Sequence, residues 1–462
     1  MPIPIPTLSH RMSATDAGFL YLDRPHAPLQ IASLVWIDGS LSVEDLAQRI
    51  EARISRAPRY AQRAMPVPLA LGHPSWEDAP DFDPRDHLKR WALPGAAGEH
   101  EALLLAAQLF VQPLLRDRPL WEMHLLEGDH EGRTALLIKA HHCMVDGISG
   151  VRLLDEILDA SPDAEDPRGP RRAVPEPPGP GMRVRRALGD GLRRQLHVAG
   201  ALAGALTRPS RARESARGLL DAARTAFNLA SREIPRMPWN DRLGARRQLY
   251  FTRLPFEGVT RVRRARGATV NDVVLCALAG GLHRYLNAIG VAPRGLELTA
   301  LVPVSVRRSE DAAFGNRISA ILVPLAVDLE DESTRLVATR ALMERLKRAS
   351  AWTGIDALLQ RLEDLPAGLV AALARALGNV RIANLVATNV PGPREPRFLC
   401  GRPVQAIYPI VPITDGLGLG LAVLSYHDAL YVGLNADPAL VPDLEKLGLG
   451  IELAFHELRA GV

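Results

Sequence analysis

Residues 134–147 read Thr134-Ala135-Leu136-Leu137-Ile138-Lys139-Ala140-His141-His142-Cys143-Met144-Val145-Asp146-Gly147, and GISGVRLLDEILD follows from Gly147 to Asp159. The apolar run TALLIKA, preceded by the turn residues GDHEGR, is the length of a buried strand. Beyond the His pair, Leu153, Leu154, Ile157 and Leu158 recur at helical spacing and predict a helix with those residues inward. Strand, short turn and helix in this order define an α/β unit. The two histidines sit at the strand end, where the backbone is rigid and a side chain can still face a cleft.

A neutral imidazole there can take a proton from a hydroxyl near neutral pH, best when its second nitrogen is held by a fixed partner. His142 is the candidate base. His141 reads as a packing or loop-orienting residue. The carboxylate of Asp146, four residues on, can meet the base directly or pin the turn through an arginine, and Gly147 permits close chain approach before the helix. A metal reading lacks a third ligand at recognisable spacing, so no metal is expected. Cys143 neighbours His142 but points to the opposite face of an extended chain, and it reads as a buried apolar residue.

Outward from this unit, both halves of the chain alternate strands and helices. QIASLVWID predicts a strand, after which Ser42 caps a helix carrying Leu46, Ile50 and Ile54, with Asp45 at the capping-box position. PLWEMHLLEG and TALLIKAHH predict two strands separated by the turn GDHEGR. In the second half TVNDVVLCALAGGLHRYL predicts a helix, and LELTALVPVSV and RISAILVPLAV predict strands. LPAGLVAALARALGNVRIANLVATNV predicts a core helix entering a strand, and LGLGLAVLSYHDALYVGLNAD a hairpin around His427 and Asp428. The expectation is α/β: two lobes of mixed sheets with flanking helices.

The 462 residues exceed one ordinary core, and 47% hydrophobic with 23% charged residues is a globular composition. Three cysteines without CxxC spacing argue against a zinc module or a disulfide framework. MPIPIPTLSHRMS has no basic segment before its proline-broken apolar stretch, and no run of about 18 apolar residues occurs anywhere, so a cytoplasmic protein is expected. Net charge is only +4, yet residues 168–247 hold eighteen Arg, no Lys and six acidic residues. SPDAEDPRGPRRAVPEPPGPG opens that basic stretch as a linker. It divides the chain into lobes at 1–160 and 246–462 with a linker at 161–245. Within it Leu188, Leu192, Leu196, Ala199, Leu202 and Leu206 form a stripe among Arg183, Arg185, Arg186, Arg193 and Arg194. That pattern suits either a connecting helix packed on the body of the protein with a solvated Arg face or a basic amphipathic helix on an anionic lipid surface. Gly189, Gly191, Gly200 and Gly204 weaken both. No aromatic residues interleave with the arginines, so nucleic acid is not an expected partner.

His-His-x-x-x-Asp-Gly after a strand, in a two-lobed chain of this length, resembles the CoA-dependent acyltransferase superfamily, whose lobes are similar to chloramphenicol acetyltransferase. Further blocks narrow the resemblance to the bacterial wax ester synthase/diacylglycerol acyltransferase family. They are LSHRMSATDAGFLYLDRPHAPLQIASLVWID, Pro119-Leu120-Trp121-Glu122, Thr269-Val270-Asn271-Asp272-Val273-Val274-Leu275, Val302-Pro303-Val304-Ser305-Val306-Arg307, Phe314-Gly315-Asn316-Arg317 and Thr388-Asn389-Val390-Pro391-Gly392-Pro393. They occur in family order and leave only about residues 160–245 uncovered. Thr388 stands where many members carry Ser, which keeps the hydroxyl.

The resemblance implies a long-chain acyl-CoA donor and a lipid hydroxyl acceptor, diacylglycerol or a long-chain alcohol, meeting in a tunnel between the lobes. His142 would be the general base in a ternary complex with no acyl-enzyme, and backbone N–H groups near Gly147 would hold the oxyanion. Asn271 is a second oxyanion candidate or else a helix N-cap. Trp121 and Pro119 would shape the cleft wall, and Asn389 would belong to a rigid turn. The resemblance favours an arginine as the partner of Asp146. It implies no resident cofactor, and it makes a peripheral place on the inner membrane or a lipid droplet plausible. Two rivals share the fold: a peptide-synthetase condensation domain, and a non-catalytic lipid-binding or lipid-droplet coat protein.

Overall fold

The computed structural model describes residues 10–144, 154, 156–166, 177–207, 233–305, 318–348, 362–363, 365–378 and 381–462. Asp146, Gly147, most of the helix expected after them and the block at 314–317 lie outside the described residues. In chain order the strands are β1 (Gln30–Ile37), a short pair β2 (Gln62–Met65) and β3 (Ser75–Asp78), then β4 (Leu88–Ala97), β5 (Trp121–Asp129) and β6 (Thr134–His141). The second half adds β7 (Gln248–Pro255), β8 (Leu298–Ser305), β9 (Ile318–Leu325), β10 (Leu385–Val390), β11 (Phe398–Leu399), β12 (Arg402–Ile410), β13 (Leu419–Tyr426) and β14 (Ala429–Ala436).

Two mixed six-stranded sheets result, ordered β11-β12-β1-β6-β5-β4 and β7-β14-β13-β10-β8-β9. In the first, only β4 and β5 run parallel; in the second, β10 runs parallel to both β13 and β8. The architecture is the expected α/β pair of lobes. Sheet membership does not follow chain order, however, because β11 and β12 come from the second half and β12 pairs along β1 in the first sheet.

Alternation along β6 explains the first lobe. Leu136, Ile138 and Ala140 join the core beneath helix Val43–Arg53, while Ala135 and Leu137 pack with Ala102, Ala106, Leu109 and Phe110 of helix Glu99–Phe110. Ser42 caps the first of these helices, accepting the Asp45 N–H at 3.0 Å. The buried Arg49 and Arg53 of that helix grip Asp159, which closes the segment after the His pair: Arg53 Nη2 lies 2.5 Å from Asp159, and Arg49 holds the other carboxylate oxygen. Asp159 and Phe398 also exchange backbone hydrogen bonds, which ties β11 to the motif segment.

In the second lobe helix Val270–Ala288 crosses helix Leu444–Ala460 so closely that a Cβ at Gly281 would lie 2.4 Å from Ile451. The hairpin expected around His427 is β13 and β14, with Tyr426 opposite Ala429. Where β12 of the first sheet passes β14 of the second, a Cβ at Gly433 would fall 1.9 Å from the Pro409 carbonyl oxygen; only glycine admits this contact between lobes. Phe251 and Tyr408 stack across the same seam with centroids 4.6 Å apart.

Helix Ala367–Leu377 precedes β10 as expected, but it is not a core helix. Ala367, Val370 and Ala371 are buried, whereas Leu369 and Leu373 face solvent. In the linker, helix Pro180–Thr207 forms despite its glycines. It is fixed through Arg183, whose Nε donates to the buried Glu77 at 2.7 Å, and through Ala187 against Gly72. In the first half of the leucine stripe, Leu188 and Leu192 are not packed on the body: they are 57% and 59% exposed. Among the described residues no helix is long and apolar enough to cross a membrane.

Candidate active site

A cavity of about 950 Å³ opens between the lobes, and His142 lies on its wall. The walls come from both halves: Phe19, Leu22 and Leu29 from the first, Leu301, Pro303, Val386 and Val411 from the second. Its size and largely apolar walls suit a long-chain ligand.

His142 follows the last residue of β6, and its N–H donates to the Leu29 carbonyl at 2.9 Å. The half-buried ring lies flat on Phe19, centroids 4.0 Å apart and planes 10° from parallel. Phe19 is presented by helix Ala14–Leu22, whose first turn is capped by Ser13 accepting the Asp16 N–H at 3.0 Å.

His141 points elsewhere. It is 1% exposed, its Nδ1 accepts the Cys143 N–H at 3.1 Å, and its Nε2 faces Asp23 Oδ2 at 3.6 Å. The proton of the neutral ring therefore sits on Nε2. Burial pushes this imidazole below its ordinary value, against the pull of Asp23. Asp23 is in turn bonded by the Leu29 N–H at 2.6 Å and paired with Arg116. Burial alone would raise its carboxyl, but His141, the Leu29 N–H and Arg116 outweigh it and hold the group below the usual carboxylate range. Asp23 thus fixes Leu29, whose carbonyl holds His142, and His141 in one arrangement. Cys143 is buried, which raises its thiol well above the ordinary value and leaves it inert.

Asp146 and Gly147 lie outside the described residues, and Trp121, Pro119, Asn271 and Asn389 are not part of the cavity lining. Trp121 does not shape the cleft wall: it is 1% exposed in the first-lobe core, stacked on His87 with centroids 4.3 Å apart, its Nε1 donating to the Tyr60 carbonyl at 2.8 Å. Pro119 is buried beside it. The effective residue of that block is Glu122, which pairs with the fully buried Lys139 at 3.4 Å, with Lys89 at 3.0 Å and with His124 at 3.3 Å. Lys139 also caps the end of helix Glu99–Phe110, donating to the Leu109 and Gln112 carbonyls. Burial would raise the Glu122 carboxyl, but His124, Lys139 and Lys89 bring it down to about 2.

Asn271 is not an N-cap. That role belongs to Thr269, which accepts the Asp272 N–H at 3.2 Å while Asp272 accepts the Thr269 N–H at 2.8 Å, leaving Asn271 in the first turn. Asn389 belongs to β10 rather than to a turn. Period 2 places it on the face of Leu385 and Ala387, opposite Val386, which lines the cavity. Among the described residues no three His, Cys, Asp or Glu side chains gather as metal ligands. Sequence reasoning passed over Phe19 and Asp23, although FLYLD stands within a quoted block. A stack and a carboxylate contact across more than a hundred residues leave no local pattern.

Two sheet-rich lobes with a histidine at the strand end between them are the architecture of chloramphenicol acetyltransferase-like acyltransferases. A wax ester synthase/diacylglycerol acyltransferase from Marinobacter aquaeolei VT8 superposes with a TM-score of 0.67 at 24% identity, covering 98% of this chain and 99% of that one. The first condensation domain of the CDA synthetase superposes with a TM-score of 0.60 at 19% identity, over 98% and 97%. The model of the wax ester synthase/diacylglycerol acyltransferase catalytic domain matches residues 12–274, and that of the WS/DGAT C-terminal domain residues 314–459. The "Probable diacyglycerol O-acyltransferase tgs1" of Mycobacterium tuberculosis H37Rv is 33% identical over 462 residues, 98% of this chain and 96% of that protein. The chain belongs to the wax ester synthase/diacylglycerol acyltransferase family and is an acyltransferase.

Proposed function

We propose that the enzyme transfers a long-chain acyl group from acyl-CoA to a lipid hydroxyl, giving triacylglycerol from diacylglycerol or a wax ester from a long-chain alcohol. The observation that carries this reading is the position of His142 on the wall of an apolar inter-lobe cavity large enough for a lipid chain. His142 takes the hydroxyl proton as the oxygen attacks the thioester carbonyl, and returns it to the departing CoA thiolate. Both substrates are bound together and no acyl-enzyme forms. Backbone N–H groups around Gly147 receive the oxyanion, and Asp146 holds the turn through an arginine. Asn271 stands as the second candidate to receive the oxyanion.

Membrane contact belongs to the same proposal. Leu188 and Leu192 face solvent next to Arg185 and Arg193 on one helix, a combination suited to peripheral binding at an anionic lipid surface, inner membrane or lipid droplet. The cytoplasm is the expected compartment. Purified protein given labelled palmitoyl-CoA with diacylglycerol, monoacylglycerol or hexadecanol, products resolved by chromatography, tests the reaction. Ester with equimolar free CoA supports it; thioester hydrolysis alone, or no turnover with any acceptor, contradicts it.

A further inference from the structure

One mouth of the cavity is unlike its walls. Arg24, Arg236, Arg242 and Arg381 belong to the cavity lining there, with two carboxylates among the described residues, Asp241 and Asp415, and Arg236, Asp241 and Arg242 are exposed to solvent. Both carboxylates are already occupied. Asp415 takes Arg24 at 3.4 Å, His26 Nε2 at 3.1 Å and the Leu243 N–H at 2.9 Å; Asp241 takes Arg236 at 2.6 Å and the Arg242 N–H at 2.8 Å. Among the described residues the guanidinium of Arg242 has no ion pair, and that of Arg381 donates to the Ile234 carbonyl at 3.3 Å. The Asp241 carboxyl is held low by the Arg242 N–H first, then by Arg236, with Arg381 adding to the effect.

The arginines come from three separate stretches, the loop before β1, the end of the linker and the approach to β10, and the fold gathers them at the entrance to the cavity of His142. The two substrates of the proposed reaction differ most at their polar ends. A lipid alcohol ends in one neutral hydroxyl, whereas acyl-CoA ends in a diphosphate and a ribose phosphate. An amphiphile whose tail must reach His142 leaves its head at the mouth, and planar guanidinium forks match phosphate oxygens. Among the described residues, no large exposed apolar side chain is part of the cavity lining. We propose that this mouth is the entrance for the acyl-CoA donor, with Arg236, Arg242 and Arg381 holding the phosphates of coenzyme A. The inference rests on the acyltransferase reading for its choice of ligand.

Calorimetric titration of the full-length protein with coenzyme A, without acceptor or turnover, tests the site by itself. Arg242→Gln should weaken binding about tenfold, the loss of one charge-assisted contact, and the triple variant with Arg236→Gln and Arg381→Gln more than about a hundredfold. The same variants should raise KM for palmitoyl-CoA far more than KM for the palmitoyl thioester of N-acetylcysteamine, which carries no phosphate. If the triple variant melts early, Arg242→Gln carries the test, because that side chain leaves no ion-pair partner behind. Coenzyme A binding equal to wild type in Arg242→Gln and in a folded triple variant overturns the proposal. Unchanged coenzyme A binding with loss of binding to phosphatidylglycerol vesicles overturns it in favour of a lipid headgroup. A wild-type protein that binds coenzyme A through these arginines yet acylates no hydroxyl leaves the site standing and refutes the acyltransferase reading.

Discussion

The ring of Phe19 lies parallel on the imidazole of His142, 4.0 Å between centroids, and so joins the N-terminal helix to the residue after β6. The stack leaves the imidazole few orientations. Such aromatic pairs contribute about 0.5–1.5 kcal/mol beyond area burial, so Phe19→Leu should lower kcat by up to about tenfold. KM for palmitoyl-CoA should barely move. Kinetics of that variant beside Phe19→Tyr, which keeps the stack and should keep the rate, check this; equal losses in both would contradict it.

Glu122 neutralises a lysine with no exposed surface. Glu122→Gln leaves Lys139 charged inside the first lobe, and breaking a buried pair on one side costs about 3–5 kcal/mol. Denaturant unfolding should show that loss, and Glu122→Gln combined with Lys139→Met should recover part of it. A double variant no more stable than the single one would argue against the pair.

Acid should lower the stability of the protein in two steps. His87, His124 and His141 are each depressed, burial being the largest cause. Their folded forms resist protonation, so the stability they contribute is complete above the ordinary value of about 6.5 and is lost as pH falls below it. Glu122, at about 2 when folded against an ordinary 4.5, contributes stability above 4.5 that disappears toward 2. Melting temperature should therefore be level above pH 7, decline below about 6.5 and decline further below about 4.5. A protein equally stable at pH 5 and pH 7.5, compared at fixed ionic strength, would refute the histidine part.

The linker arginines should separate into two groups. Arg183 is bound to buried Glu77, so Arg183→Gln should lower the melting temperature. Arg193, 86% exposed, and Arg185 should affect only lipid binding, each contributing about 1 kcal/mol at an anionic surface. Liposome co-sedimentation of Arg185→Gln/Arg193→Gln should fall relative to wild type; unchanged co-sedimentation would leave the helix a simple connector.

Local pattern made much of this fold legible. β6, the Ser42 cap and the hairpin at His427 each follow from a few adjacent residues with a clear period or turn chemistry. The addition of β12 to the first sheet could not be read this way, since its pairing with β1 joins residues nearly four hundred positions apart. Leu188 and Leu192 show the limit of an apolar stripe, which gives a helix its faces but not which face is covered. At the site, the strand-end position of His142 was readable. The company of their blocks suggests a cleft wall for Trp121 and a turn for Asn389, whereas Trp121 packs in the first-lobe core and Asn389 lies within β10. Phe19, Asp23 and the arginine mouth exist only once distant segments meet.

The central claim is that His142 is the base. His142→Ala should reduce kcat with palmitoyl-CoA and diacylglycerol by roughly 10² to 10⁴, the usual share of general-base catalysis, while the thermal melt stays at the wild-type temperature. His141→Ala, which empties a buried site beside Asp23, should lower the melting temperature and cost less in rate. Measured side by side, a folded His142→Ala protein that turns over like wild type would contradict the account at its root.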